Sequence, residues 1–342
     1  MKPGVFVVSD NIFSPLGKTT AENFARLKAG ASGIKLHHNR FAQEPYYAAL
    51  FDDDFSNDTK YTKFEQLLVA SITGALANSS VDPTDQRTLL IISTTKGNIS
   101  LLETAEYNAH LKQRIALPFS ANMIAKHFGF VNTPVVVSNA CISGIMAIIT
   151  GKRLIQSGQY DHVVVSGADV ISKFVLSGFQ AFQAVSPQPC RPFDAARDGI
   201  TLGEGAATVI LSNQTNKSAI KVTGGAVSND ANHLSAPSRT GEELAQAITA
   251  ALKEAGQDSP GFISAHVRCI CTEEPEDSDN VSCVGEDHGC RNGAQCSSNH
   301  ERLSLAPCHL TAITFDPDVR LNEHSRQRTC KPDECKQSFA HA

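Results

Sequence analysis

The residues of this chain best suited to covalent chemistry are one cysteine and one histidine. Cys141 lies in the stretch Pro134-Val135-Val136-Val137-Ser138-Asn139-Ala140-Cys141-Ile142-Ser143-Gly144. The run reads as a buried strand, a tight turn of small residues, then a helix from about Cys141 to Gly158, apolar almost all round through Ile145, Met146, Ile148, Ile149, Leu154 and Ile155. Such a junction sets the sulfur at a helix N-terminus, where unpaired N–H groups and the helix dipole favour a thiolate. The same N–H groups can receive the oxyanion formed when sulfur attacks a thioester carbonyl. The small neighbours Ala140, Ser143 and Gly144 leave room for a substrate. The competing reading is a buried, inert cysteine, and a histidine within reach is what separates the two. Gly261-Phe262-Ile263-Ser264-Ala265-His266 offers one: a helix-to-strand turn, a short strand, and His266 at its carboxyl end, where open parallel sheets form ligand crevices. Taken alone, that segment also fits a surface or structural histidine.

Two further stretches carry unusual patterns. Cys190-Arg191-Pro192-Phe193-Asp194-Ala195-Ala196-Arg197-Asp198-Gly199 combines alternating charges with a turn, and Thr201-Leu202-Gly203-Glu204-Gly205-Ala206-Ala207 leads into a strand. Glu204, between two glycines, is placed either to hold a neighbouring loop or helix or to sit exposed in a turn. Gly203-Glu204-Gly205 has neither the spacing nor the strand–turn–helix context of a dinucleotide fingerprint. Cys190 reads as structural or merely exposed.

The elements that must position these groups are strands alternating with helices. Short β-branched runs at Val5–Val8, Leu89–Ser93, Val135–Ser138, His162–Ser166 and Ala207–Leu211 are mostly continuous, as in strands covered on both faces. Phe64, Leu67, Leu68, Ile72, Ala75 and Leu76 form one helical stripe. Leu244, Ala247, Ile248, Ala251, Leu252 and Ala255 form another, ending at Gly256. This alternation predicts α/β layering with a largely parallel sheet. Asp52-Asp53-Asp54 reads as a solvated loop.

Composition sets the outer limits. The 342 residues suit one large domain or two, and 41% hydrophobic residues suffice for a sizeable core. A net charge of −5 argues against a basic nucleic-acid groove and against a polybasic membrane patch. No run approaches the roughly 18 apolar residues of a spanning helix. The apolar run Val5–Val8 is too short for a signal peptide, which points to the cytoplasm. The ten cysteines fall into two populations: Cys141 and Cys190 in the first 266 residues, and the rest from Cys269 to Cys335. The first population suits a reducing compartment, and the second resembles a secreted disulfide scaffold.

At this point the chain resembles the β-ketoacyl synthases, the condensing enzymes of fatty-acid and polyketide synthesis. Asn139-Ala140-Cys141-Ile142-Ser143-Gly144 is similar to the family's Thr-Ala-Cys-x-Ser-Gly motif. Ser14-Pro15-Leu16-Gly17, Ser177-Gly178-Phe179 with Ser186-Pro187, Arg191-Pro192-Phe193-Asp194, Arg197-Asp198-Gly199, Leu202-Gly203-Glu204-Gly205-Ala206 and Ile263-Ser264-Ala265-His266 follow the family's blocks in order over about 260 residues. The resemblance implies a thiolase-like layered α-β-α-β-α fold, here with an incomplete C-terminal half. It implies a homodimer, or a heterodimer with a related synthase, with the strand around Val135–Ser138 at the dimer edge. It implies Cys141 as nucleophile and His266 as the first histidine of a Cys-His-His set, with no cofactor and no metal. The partners it implies are acyl carrier proteins bearing acyl and malonyl groups. Asn139 departs from the usual threonine, and Thr95-Lys96-Gly97-Asn98 occupies a loop that in the family lies near the acyl pocket. Both hint at a specialised synthase.

After His266 the pattern stops. The chain reads Val267-Arg268-Cys269-Ile270-Cys271 where the family has Gly-Thr-Gly-Thr, and no later segment supplies the second histidine, the lysine or the glycine- and phenylalanine-rich C-terminal motif. The expected organisation is therefore a synthase N-terminal region over 1–255, the start of the C-terminal region over 256–266, and an aberrant cysteine-rich tail over 267–342, poorly ordered, with neither a recognised zinc pattern nor a packed core. A frameshift explains this better than fusion to a cysteine-rich module, because the break falls inside a motif. The expected activity is decarboxylative condensation by family, with this polypeptide itself inactive. A truncated subunit or scaffold is the alternative.

Overall fold

The computed structural model describes residues 2–52, 60–192, 194, 197–216, 218–229, 242–258 and the backbone of 309–315. His266 and the cysteines from Cys269 onward lie outside the described residues, as do two of the three aspartates at 52–54. The chain divides into two compact units, Met1–Pro189 with Thr201–Val222, and Cys190–Ile200 with Thr223–Ala342. The first runs β1 (Phe6–Phe13), α1 (Thr20–Lys28), β2 (Lys35–His37), β3 (Tyr46–Ala49), α2 (Lys63–Ala77), β4 (Thr88–Ser93), a 3₁₀ turn (Ile99–Glu103), α3 (Ala109–Arg114), α4 (Leu117–Phe128), β5 (Val135–Val137), α5 (Ser143–Gln156), β6 (His162–Asp169), α6 (Lys173–Ala181), β7 (Leu202–Gly203) and β8 (Gly205–Ser212). β9 (Ile220–Asn229) begins in it and continues into the second unit, which also holds α7 (Glu242–Ala255) and β10 (His309–Phe315).

The sheet of the first unit has the order β9-β1-β8-β6-β4-β5. It is mixed, where the sequence suggested a largely parallel one. β4 is parallel to β5 and to β6, but β8 is antiparallel to both β6 and β1. Those two antiparallel pairings arise because β8 runs back from the end of the sheet at which β6 stops. β4, flanked on both sides, is buried at every position, as its continuous apolar run indicates. β1 instead alternates buried and exposed residues along its second half, and runs to Phe13, well past the apolar stretch that marked it.

Alternate residues of these strands face opposite layers. Leu90, Ile92, Val164 and Ile210 join Phe64, Leu67, Leu68 and Ile72 of α2 and Ile124 of α4 in one core. Leu67, Leu68 and Ile72 are fully buried, each contributing about 1.5–3 kcal/mol. α2 is started by a capping box in which Thr62 and Glu65 bond each other's backbone amides, worth about 1 kcal/mol. Polar side chains stitch the same layers: Ser71 Oγ meets Thr208 Oγ1 at 2.8 Å, and Thr208 Oγ1 meets Ser166 Oγ at 2.9 Å. On the other face, α5 crosses Val163 and Leu211 at Gly151. A Cβ there would lie 3.0 Å from Leu211 Cδ1 and 3.1 Å from Val163 Cγ1, so a side chain at this position would have to push those neighbours aside by a few tenths of an ångström.

A second, small sheet, β2-β3-β7, covers a cluster of Tyr46, Ala48, Leu50, Ile171 and Leu176. Within the second unit, Gly225 N donates to Glu254 Oε2 at 2.8 Å and Ser228 Oγ to the Glu243 carbonyl at 2.6 Å. Ala247 and Ala251 of α7 are buried, whereas Leu244 is 39% exposed, so the buried stripe begins one turn later than expected.

Candidate functional site

The carboxyl ends of β4, β5 and β6 lie at one edge of the sheet, and the segments leaving them build the site. From β5 the chain passes through Ser138, Asn139 and Ala140 to Cys141 before α5 begins at Ser143. Cys141 is exposed and in no disulfide. The expected strand, small-residue turn and helix are all present, with the helix starting two residues after the cysteine. Ile142 at the N-cap brings no side-chain acceptor to the first turn. Ala140 has φ +45°, a left-handed conformation that a non-glycine residue takes at a cost of about 1–2 kcal/mol. Gly144 is open: a Cβ there would meet nothing within 4 Å.

Ser143 is not one of the residues making room. It is buried and turned into the backbone: its Oγ accepts from Asn139 N at 2.8 Å and donates to the Ala140 carbonyl at 2.7 Å. Asn139 Nδ2 reaches Met146 Sδ at 2.8 Å. α5 buries Ala147, Ile149, Gly151, Lys152 and Ile155, while Ile145, Met146 and Ile148 are half-buried. Ala147 and Ile149 lie on nearly opposite sides of the helix, so burial reaches round most of α5, as its apolar sequence suggested, with part of its first turns only half covered in this chain.

From β4 leaves the loop Thr94–Asn98. Thr94 Oγ1 donates to Asp169 Oδ1 at 3.0 Å, tying this loop to the end of β6, and Lys96 is exposed. The far end of the loop is anchored deeply. Asn98 Nδ2 donates to Glu65 Oε1 at 3.0 Å and to Ser120 Oγ at 2.9 Å. Glu65 is fully buried and forms a two-pronged ion pair with Arg114 through Nη1 and Nη2. It also accepts from Ser120 Oγ at 2.8 Å and from Thr62 N at 3.0 Å. Burial alone would push its carboxyl up, but the bonds from Arg114, Thr62, Ser120 and Asn98 outweigh it and hold the group below the usual carboxylate range. Sequence reasoning missed this network. Thr62-x-x-Glu65 before an apolar run is a legible capping signature, but nothing in the sequence marks Arg114 as its partner.

Glu204 holds segments together, one of its two expected roles. It stands between β7 and β8, where the chain passes from the small sheet to the large one, and is 5% exposed. Its Oε2 accepts from Phe51 N at 3.0 Å and pairs with Lys63 Nζ at 2.7 Å, and its Oε1 accepts from Ile171 N at 3.3 Å. Cys190 is half-buried. In the charged stretch after it, Arg191 and Asp198 stand 4.0 Å apart on partly exposed side chains, a contact that contributes little.

Residues 2–217 match the family described as "Beta-ketoacyl synthase, N-terminal domain". The chain belongs to the β-ketoacyl synthase family. Among its synthase relatives, the 3-oxoacyl-[acyl-carrier-protein] synthase 2 of Vibrio cholerae is 30% identical over 303 residues, covering 78% of this chain and 73% of its own. The tetracenomycin polyketide synthase ketoacyl synthase alpha subunit of Streptomyces glaucescens is 38% identical over 146 residues, 38% of this chain and 34% of its own. In fold, this synthase chain is similar to a ketosynthase solved in complex with its chain length factor from Xenorhabdus doucetiae, with TM-score 0.66 and 24% identity over 75% of this chain and 69% of that one. The architecture is thus the thiolase-like α/β fold of the ketosynthases. No helix among the described residues of this synthase is long and apolar enough to cross a membrane.

Proposed function

We propose that this synthase takes an acyl group from an acyl carrier protein onto Cys141 and that His266 serves the following decarboxylative condensation. The observation that carries the reading is Cys141 itself, exposed after a left-handed residue and immediately ahead of a long helix with no side-chain cap. Sγ attacks the thioester carbonyl, the oxygen takes negative charge, and the carrier thiolate leaves as the acyl–sulfur bond to Cys141 forms. Malonyl-carrier protein then loses carbon dioxide, its carbanion attacks the acyl carbon, and Cys141 departs to release a 3-ketoacyl thioester. Positioned donors must meet the charge on the malonyl thioester oxygen. His266 is one such donor. The partners are carrier proteins and a second synthase subunit, alike or related, and the compartment is the cytoplasm. The half-buried edge strand β5, paired with β4 on one side, suits a subunit contact, and a structural relative is titled as an acyl-carrier protein in complex with its ketosynthase.

The family pattern ends within a motif at His266, which favours a second statement: this polypeptide condenses poorly or acts only as a truncated subunit. A frameshift near codon 266 accounts for the tail over 267–342, leaving 1–255 and 256–266 as synthase sequence. Loss of one oxyanion donor costs about 10²-fold or more. Purified chain given acyl- and malonyl-carrier protein should show acyl-Cys141 by mass spectrometry, absent in Cys141→Ala, with 3-ketoacyl product at least 10²-fold below an intact synthase. Acylation that survives Cys141→Ala would sink the nucleophile assignment, and turnover equal to the intact enzyme would sink the statement of inactivity.

A further inference from the structure

We propose that Ser143 is the positioning residue for Cys141, holding Ala140 in the left-handed conformation that presents the sulfur. This rests on the reading of Cys141 as nucleophile. Between β5 and α5 the backbone holds itself weakly: Ile142 N to the Asn139 carbonyl and Ser143 N to the Ala140 carbonyl are each 3.3 Å, beyond the usual range for such bonds. Ala140 is nevertheless at φ +45°, where an L side chain is strained. Two short bonds in the turn come from the Ser143 hydroxyl, which accepts from Asn139 N at 2.8 Å and donates to the Ala140 carbonyl at 2.7 Å. It therefore grips the Asn139 amide ahead of Ala140 and the Ala140 carbonyl that leads out to Cys141. At 5% exposure, water cannot readily replace it.

Met146 lies one turn further along the same face of α5, and its Sδ takes the Asn139 amide at 2.8 Å. The two ties run from the first turn of α5 back to the turn, so the cysteine is located by the helix rather than by the edge strand. The departure from threonine at position 139 is thereby used: a side-chain amide reaches the thioether.

The test uses the full chain and follows two reactions at Cys141 by peptide mass spectrometry: alkylation by iodoacetamide, and acylation by an acyl-N-acetylcysteamine thioester. In Ser143→Ala acylation should fall about tenfold or more, since a reacting atom misplaced by about 1 Å can lose up to about 10²-fold, and alkylation should fall by a smaller factor as the sulfur leaves the helix N-terminus that favours its thiolate. Ser143→Thr should stay within about threefold of the parent. The double variant Ser143→Ala/Ala140→Gly should recover most of the loss, because glycine takes positive φ without strain. Loss of folding alone would instead raise alkylation at Cys141 and Cys190 together. A folded Ser143→Ala protein reacting at the parental rate overturns the proposal. So does a double variant no faster than the single one, or one that unfolds with it. If the parent chain is alkylated at Cys141 but never acylated there, the nucleophile reading fails, and the alkylation series still decides the role of Ser143.

Discussion

Replacing Arg114 by Met should destabilise the first unit by about 3 kcal/mol at pH 7.5, and by clearly less at pH 5. Glu65 is wholly buried, and Arg114 supplies two of the five donors described around its carboxylate. Removing one partner of a buried ion pair costs about 3–5 kcal/mol, because the other charge remains out of water. The lower end applies here, since Ser120, Asn98 and the Thr62 amide stay in place. The sign of the pH effect follows from the same contacts. In the parent, the folded carboxyl lies below its ordinary range, so its contribution is fully present above that range and is lost only as pH falls through the folded value. Without Arg114 the strongest of the lowering contacts is gone, so burial pushes the group up from its parental position. The folded variant then takes a proton as pH falls, and its deficit shrinks. The chain has no tryptophan, so urea unfolding is best followed by far-ultraviolet circular dichroism. With a slope of about 2–3 kcal/mol per molar, the midpoint should drop by roughly 1 M or more at pH 7.5. An unchanged midpoint, or the same shift at both pH values, would refute the reasoning.

Four other outcomes are expected. Cys141 should be alkylated faster than the half-buried Cys190 in the parent chain, as peptide mapping after a short iodoacetamide pulse will show. Glu204→Ala should cost about 2–4 kcal/mol, because it orphans the buried amides of Phe51 and Ile171 and unpairs Lys63; thermal unfolding measures this. Gly97→Ala should cost about 1–3 kcal/mol, since Gly97 has φ +50° and a Cβ would fall 2.5 Å from Leu117 Cδ2; a parental melting temperature would count against it. Resequencing the locus should find a frame in which Gly-Thr-x-Thr follows His266 and a Gly-His motif comes later.

What could be read in advance was whatever local periodicity encodes. The stripe Phe64 to Leu76 became α2 because its spacing matches one face of a helix, and the Cys141 junction was legible because a β-branched run, small residues and a helical pattern meet there. Glu204 was half legible: flanking glycines marked a tight place, but its partners Phe51, Lys63 and Ile171 come from segments 33 to 153 residues away. Ser143 was misjudged, because small size suggests space and only the fold shows its hydroxyl turned inward. The strand directions were hidden for a similar reason. A parallel and an antiparallel strand share the same apolar run, and only the path of the chain between β6 and β8 separates them. His266 lies outside the described residues, and its place beside Cys141 rests on the family resemblance.

The position of β8 has a consequence for how this chain is made. β8 lies between β1 and β6, pairing Phe6 with Ser212 and His162 with the same Ser212. The first strand to leave the ribosome therefore waits for a partner about 200 residues behind it. At about 5–20 residues per second, β1 keeps an open edge for some 10–40 s, during which it can pair with another nascent chain. β8 then pairs with β1 and β6, and β9 meets β1 at Ile220 and Lys221, before any of the cysteine-rich sequence has been translated. Polypeptides released ahead of residue 212 should aggregate, whereas those released just after residue 222 should hold the sheet of the first unit.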